Sequence, residues 1–285
     1  MPELPEVESI RVGVAQALVN QRIHRVDVFH ERAVREIPGG AAALASAVTG
    51  EKVLALERRG KFMWMEFAGH QALVIHLGMS GQLLVDDAAF EAATCHYPSG
   101  RNHERVRFYY DDGVLRFVDQ RTFGFLALSS FVKAADGRSV PAAVAHIAPD
   151  ALEMSSAQLA RRLAGGRRDI KRILLDQKVV SGIGNIYADE SLFRAGIHPS
   201  ARQLGERRSM RLAEAVHATV NSALAAGGTS FDQLYRNASG EAGYFDRELA
   251  VYARAGEPCP RCGTPIRTVP FMGRHTHFCP HCQRR

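Results

Sequence analysis

A chain of 285 residues and 31.3 kDa, 46% hydrophobic and 23% charged, has the composition of a globular protein of two domains with room for a small appendage. Its apolar runs, such as ALVI and FMWM, are far too short to span a bilayer, and its acidic opening lacks the basic start and apolar core of a secretory signal. A cytosolic protein is expected, and the net charge of +6 with a pI near 9.2 suits a polyanionic partner, since Lys and Arg contacts to phosphate dominate nucleic-acid affinity.

The opening MPELPEVESI carries prolines and acids at Pro2, Glu3, Pro5, Glu6 and Glu8. It runs into EVESIRVGVAQALV, where Val7, Ile10, Val14 and Leu18 recur near a helical period. RIHRVDVF alternates like a strand, and KVLALERRGKFMWMEF and ALVIHLGMSGQLLV read as further strands. VRFYYDDGVLRFVDQ predicts a hairpin turning at Asp112-Gly113. Residues from about 20 to 130 therefore read as mostly β, a sandwich or flattened barrel. A Pro/Ala-rich connector, SVPAAVAHIAPDALEM, follows. Then come four helical segments: SSAQLARRLAGG, IKRILLDQKVV, NIYADESLFRAG and SMRLAEAVHATVNSALAAGG, each ending at Gly or a Gly/Ser turn. A glycine-containing loop, NASGEAGYF, leads to a short predicted strand, LAVYAR. The expected divisions are an N-terminal domain over 1–135, a helical domain over 150–240 and a terminal appendage over 250–285.

Four of the five cysteines lie in the last 27 residues, as Cys259-Pro-Arg-Cys262 and Cys279-Pro-His-Cys282. Two such knuckles converge on one tetrahedral ion, and a reducing cytosol disfavours disulfides. One structural zinc is the expectation, with a redox pair as the alternative. Four thiolates close the coordination sphere, so His275, His277 and His281 are not needed as ligands and the ion has no open position for chemistry. Gly273-Arg274 is placed at the tip of the intervening hairpin, either to enter a nucleic-acid groove or simply as a solvated turn. Cys95 stands apart and reads as a free thiol.

Taken in order, MPELPEVE, RRGKF, HLGMSGQL, DQRTFG, LLDQKVVSGIGNIYADE, GGTSFDQLY, GYF and the terminal CxxCGTPI…GRHTHFCPHCQ resemble the formamidopyrimidine-DNA glycosylase family, bacterial base-excision repair enzymes related to endonuclease VIII. The resemblance covers nearly the whole chain. It implies an α+β multidomain fold: an N-terminal β-sandwich with an N-terminal helix, a helical helix-two-turn-helix domain and a C-terminal four-cysteine zinc-finger hairpin. The implied partner is double-stranded DNA containing oxidised bases or abasic sites, with no membrane and a monomeric protein.

The resemblance also assigns roles. With Met1 removed, Pro2 presents a secondary amine as nucleophile, and an α-amino group titrates at about 7.7–8.0, well below lysine. Glu3 is the general acid/base beside it and Glu6 a supporting acid; read bare, both are acids of a first helical turn facing the macrodipole. Lys61 matches the lysine of β-elimination, and Arg274 the residue of δ-elimination, acting by electrostatics since its pKa is too high for proton donation. Met79, Arg121 and Phe123 match the side chains that fill the gap left by a flipped nucleotide, although the two apolar ones could as well be core. His76, His103, Arg167, Lys171 and Asn185 are the nominated DNA contacts, Asn185 following a Gly-Ile-Gly turn at a helix start. Gln120 and Thr122 stand where many relatives carry Pro and a basic residue. Leu4 and the loop QLYRNASGEAGYF favour oxidised purines over the pyrimidines of the endonuclease VIII branch; a zinc-finger DNA binder without catalysis is the third reading.

Overall fold

The computed structural model describes residues 2–87, 103–228 and 249–285. These fall into two compact units, the first running to His146 with Gly227 and Gly228, the second comprising Ile147–Ala226 and the residues from Leu249 onward.

The first unit is an antiparallel β-sandwich. Helix α1 (Leu4–Leu18) buries Val7, Ile10, Val14 and Leu18, the face its periodicity predicts. It packs on strands β2 (Ala55–Arg59), β3 (Phe62–Phe67) and β5 (Gly81–Asp87). One sheet has five strands in the order β2, β3, β4 (Gln71–His76), β8 (Phe125–Lys133), β9 (Ser139–Pro141). The other has four: β1 (Ile23–Val28), β6 (Glu104–Tyr110), β7 (Gly113–Asp119), β5. Met63, Met65, Leu73 and Ile75 of the first sheet meet Leu83, Val106, Phe108, Leu115 and Phe117 of the second in one buried core. The alternation of β6 shows the reason, since Val106, Phe108 and Tyr110 face inward and Arg105, Arg107 and Tyr109 outward.

Two details differ from the sequence reading of this unit. Tyr110 pairs with Gly113, so Asp111-Asp112 form the turn and Gly113 begins β7. Glycine is needed there because a Cβ would collide with the Asp86 carbonyl of the neighbouring strand. A second helix, α2 (Gly40–Val48), interrupts the region read as β; its GAAALASAV is too poor in large apolar residues to declare a period.

The second unit holds α3 (Ser156–Leu163), α4 (Ile170–Leu174), α5 (Asn185–Ala195) and α6 (Glu206–Ala225), with α3 and α5 packed on α6. Ser155 and Gln158 close a capping box on α3, the Gln158 amide donating to Ser155 Oγ and the Ser155 amide to Gln158 Oε1. The helix expected over IKRILLDQKVV stops at Leu174, because Asp176 Oδ1 accepts from the Lys178 amide and turns the chain. LAVYAR forms no strand: the Ala250, Val251 and Tyr252 amides all donate to the Glu190 carboxylate, at 3.0, 2.9 and 2.8 Å. The terminal hairpin, β10 (Arg267–Phe271) and β11 (Arg274–Phe278), turns at Met272-Gly273, both with positive φ as a two-residue turn of this hand requires.

The hairpin and the helices form one unit because a buried ion pair joins them. Lys171 Nζ of α4 lies 2.6 Å from Asp189 Oδ1 of α5, both side chains fully buried. Thr276 of β11 donates to the same carboxylate at 2.7 Å, and the His277 amide to its other oxygen at 2.9 Å. Among the described residues no helix is long and apolar enough to cross a membrane. Lys171→Met leaves Asp189 buried without its cation and should cost about 3–5 kcal/mol in urea unfolding of the zinc-loaded protein. Adding Asp189→Leu to that variant should recover most of the loss, and a single variant as stable as the parent would refute the account.

Candidate functional site

Within the first unit the nominated catalytic residues sit at the start of α1 and at the tip of the β2–β3 hairpin. Pro2 is buried, and Glu3 is the N-cap of α1, with only 4% of its surface exposed. Pro5 falls in the first turn, where its missing amide hydrogen costs nothing. The Glu3 amide donates to Glu6 Oε2 at 2.9 Å, so the second acid holds the first in place. Glu6 is itself confined: a Cβ on Gly228, which has a φ of 87°, would lie 3.1 Å from Glu6 Oε1 and 3.2 Å from its Cγ.

The helix is clamped to the hairpin by ion pairs. Arg58 Nε lies 2.8 Å from Glu8 Oε2, and Arg11 grips the same carboxylate while donating to the Leu56 carbonyl at 2.8 Å. Burial would raise the Glu8 carboxyl, but the hydrogen bonds from Arg11 and Arg58 outweigh it and hold its pKa below the ordinary value. Arg58 also donates to the Gly60 carbonyl at 2.9 Å, bracing the Gly60-Lys61 turn. Lys61 is buried, only 7% exposed. Glu8 and Arg58 thus fix the N-terminal Pro2-Glu3 pair relative to the lysine turn.

His76, nominated for a phosphate, is sandwiched between Phe62 (centroids 4.6 Å) and Phe125 (5.3 Å). Its burial, with the charges of Lys61 and Arg35, pushes its pKa down to about 4. The ring is therefore neutral at pH 7, and because Nδ1 accepts from the Gly78 amide at 3.2 Å its proton lies on Nε2. It can offer an anion a hydrogen bond but no charge.

Met79 and Phe123 are not core: they are 42% and 45% exposed. Arg121 joins them, its Nη1 3.7 Å from Met79 Sδ and its guanidinium 5.8 Å from the Phe123 ring centre. The three nominated gap-filling side chains form one exposed cluster. His103 immediately precedes β6, with a buried Nδ1 that has no partner among the described residues.

In the second unit, Arg168 is engaged by Asp176 at 2.8 Å and Arg162 by the Val179 carbonyl at 3.1 Å, whereas Arg167 is exposed with no such bond among the described residues. Lys171 is the correction. Its ammonium is wholly buried and spent on Asp189 and Thr276, so it braces the unit instead of reaching a phosphate. Asn185 opens α5 and donates to the His275 carbonyl at 2.9 Å, its Oδ1 lacking a described partner. Arg274 begins β11, exposed, one residue beyond the turn.

The sulfurs of Cys259, Cys262, Cys279 and Cys282 all lie within 4.8 Å of one another. Cys259 Sγ is 3.9 Å from Cys282 Sγ and Cys262 Sγ 3.5 Å from Cys279 Sγ, close to the roughly 3.8 Å between ligands of a tetrahedral zinc–thiolate centre. The set fits one structural zinc. Gln283 steadies it, accepting from the Cys279 amide at 2.8 Å and donating to the Ile197 carbonyl at 3.0 Å. Cys95 and the whole loop QLYRNASGEAGYF lie outside the described residues.

Comparison with known proteins accounts for this arrangement. Residues 1–126 match the model of the formamidopyrimidine-DNA glycosylase N-terminal domain, 147–234 that of the family's H2TH domain, and 256–285 a zinc finger found in FPG and IleRS. The chain belongs to the formamidopyrimidine-DNA glycosylase family and is a DNA glycosylase. It is 50% identical to the formamidopyrimidine-DNA glycosylase of Corynebacterium urealyticum over 290 residues, 99% of each chain. The protein of that name from Acidothermus cellulolyticus is 50% identical over 289 residues, 99% of this chain and 97% of the relative. Among solved structures, a Lactococcus lactis FPG mutant bound to a Fapy-dG containing DNA has a TM-score of 0.84 at 30% identity, with both chains fully covered. MutM in complex with carbocyclic 8-oxo-G containing DNA has a TM-score of 0.83 at 31% identity, again with both fully covered.

The depressed His76 pKa has a stability consequence. Native His76 stays neutral to about pH 4, while the unfolded ring takes up a proton below about 6.5, so stability is lost as pH falls between those values and is unaffected above them. Thermal unfolding of His76→Gln should show a shallower fall from pH 6.5 to 4 than the parent; parallel curves would refute this. Gly228→Ala should displace Glu6 and slow single-turnover base excision roughly tenfold or more, and an unchanged rate would show that Glu6 tolerates the shift.

Proposed function

We propose that this chain excises oxidised purines, 8-oxoguanine and formamidopyrimidines, from duplex DNA and then cuts the strand at the abasic site. The reading is carried by the joining of a buried Pro2-Glu3 terminus to the Lys61 turn through Glu8 and Arg58, in a chain whose relatives are named for formamidopyrimidine. With Met1 removed, the Pro2 nitrogen attacks C1′ and the base departs with its bonding electrons; the nitrogen gives up its proton, the C1′–O4′ bond then breaks with a proton delivered to O4′, and an iminium cation remains. That cation acidifies the C2′ hydrogen. Glu3 is placed by Glu6 to move protons beside the amine, and loss of the C2′ proton expels the 3′ phosphate. Lys61 supports this first elimination, and Arg274 is assigned to the second by its match to the family, as an electrostatic grip on the leaving phosphate. Burial of Glu3 and Lys61 strengthens both electrostatic roles, since a water-poor site screens charge weakly.

Met79, Arg121 and Phe123 are assigned to the gap left by the flipped nucleotide, His76, His103, Arg167 and Asn185 to the DNA backbone, and the zinc to stiffening the hairpin that carries Arg274. The work belongs in the bacterial cytosol, where the chromosome lies.

Borohydride reduction during incubation with duplex containing 8-oxoguanine should trap a covalent protein–DNA band. A peptide left ahead of Pro2 should abolish it; trapping that persists would exclude the N-terminal amine, and no band on any oxidised base or abasic site would sink the lyase reading. Thymine glycol duplex should be cut more slowly than 8-oxoguanine duplex, and the reverse order would favour the endonuclease VIII branch.

A further inference from the structure

The three side chains assigned to the duplex gap come from two separate loops, residues 77–81 and 119–124. Both leave the β5–β7 ladder at the paired Gly81 and Asp119, and beyond that pair neither has a ladder of hydrogen bonds to hold it. One group touches both. Asp119, the last residue of β7, is fully buried. Its Oδ1 accepts from Ser80 Oγ at 2.6 Å and from the Arg121 amide at 3.1 Å, and its Oδ2 from the Gly124 amide at 2.7 Å. Ser80 Oγ lies 3.1 Å from the Arg121 amide as well, closing the triangle. The carboxylate thus binds the residue after Met79, the backbone of Arg121 and the residue after Phe123.

The backbones of the two loops meet on the same spot. A Cβ on Gly78 would lie 2.5 Å from the Gly124 nitrogen, and one on Gly124 would lie 2.7 Å from the His76 carbonyl oxygen. Between the two amides that Asp119 holds, Thr122 adopts a φ of 54°, a left-handed conformation unfavourable for a β-branched residue. Arg35 secures the other side, donating to the Phe123 carbonyl at 3.0 Å and the Gly124 carbonyl at 2.9 Å. The Arg105 guanidinium adds a bond to the Asp119 carbonyl at 2.8 Å.

We propose that Asp119 is a positioning residue: its carboxylate cross-links the two loops so that Met79, Arg121 and Phe123 are presented as one preformed wedge. Its burial keeps it from touching DNA, and its effect passes through those three side chains. A wedge held before binding loses less conformational entropy on entering a duplex than three independent side chains. The inference rests on the reading that the cluster fills the gap in a duplex.

The test uses the full-length, zinc-loaded protein and two substrates, a duplex and a single strand each carrying an abasic site. A single strand has no gap to fill, so general damage to the fold depresses both activities together, whereas loss of the wedge acts on the duplex. Asp119→Asn replaces the acceptor facing Gly124 with a donor; it should lower cleavage of the duplex about 10–100-fold, with a markedly smaller loss on the single strand. Ser80→Ala, which removes one bond, should move the ratio the same way by less and covers the case in which Asp119→Asn folds poorly. Affinity for a duplex carrying a tetrahydrofuran abasic analogue, relative to undamaged duplex, should fall in parallel and does not depend on covalent chemistry. Phe123→Ala and Arg121→Ala separate the two claims. If they leave the duplex-to-single-strand ratio and the relative affinity unmoved, the gap-filling reading fails and this inference with it. If they move both while Asp119→Asn and Ser80→Ala move neither, or depress both substrates equally, Asp119 only supports the fold.

Discussion

Irregular backbone taken out of water must find partners for its amide hydrogens, and in this protein buried carboxylates supply them. Apart from His76 and Arg274, which stand at the ends of β4 and β11, the residues assigned to the chemistry or to DNA lie at helix starts, turns or loops, where no ladder does that work. Glu6 accepts from the Glu3 amide, Asp119 from those of Arg121 and Gly124, Asp189 from that of His277, and Glu190 from three successive amides beyond Leu249. The exchange is mutual, because a carboxylate buried without such donors would be costly. In these loops buried carboxylates thus take the place of the ladders that satisfy the sheets.

The same economy sorts the cations. Arg58, Arg59, Arg116 and Lys171 are buried and lie against Glu8, Asp136, Asp86 and Asp189. Arg121, Arg167 and Arg274 are exposed. A net charge of +6 suits a polyanion, but which cations can meet one is decided by which have already been claimed by an internal acid. Lys171 shows how the basic helical segment misleads when charge is counted without burial. His76 makes the neighbouring point, since a ring kept neutral by burial contributes direction and not attraction.

Long periodic elements were legible from residues alone. The α1 face, the alternating β6 and the cysteine spacing each declare themselves within a few turns or a few residues, because the governing contacts are local or strictly periodic. LAVYAR forms no strand because its β-forming side chains are overruled by one distant glutamate, about 60 residues away in sequence. Helix α2 is not legible in the residues because alanine-rich sequence carries propensity without pattern. Asp119 and Glu190 carry no local sign of their work; a lone acid at a strand end or within a helix is as often solvated.

The residues themselves determined the zinc-ligand set, the helix that follows the N-terminal proline, the sandwich and the family resemblance, all of which rest on spacing along the chain. Tertiary structure decided that Lys61 is buried, that Met79 and Phe123 are exposed while their apolar neighbours are core, and that Lys171 is a brace. Those outcomes turn on which group meets which across tens of residues, through hydrogen bonds and burial that have no period. Spacing is written in one dimension, and desolvation is not.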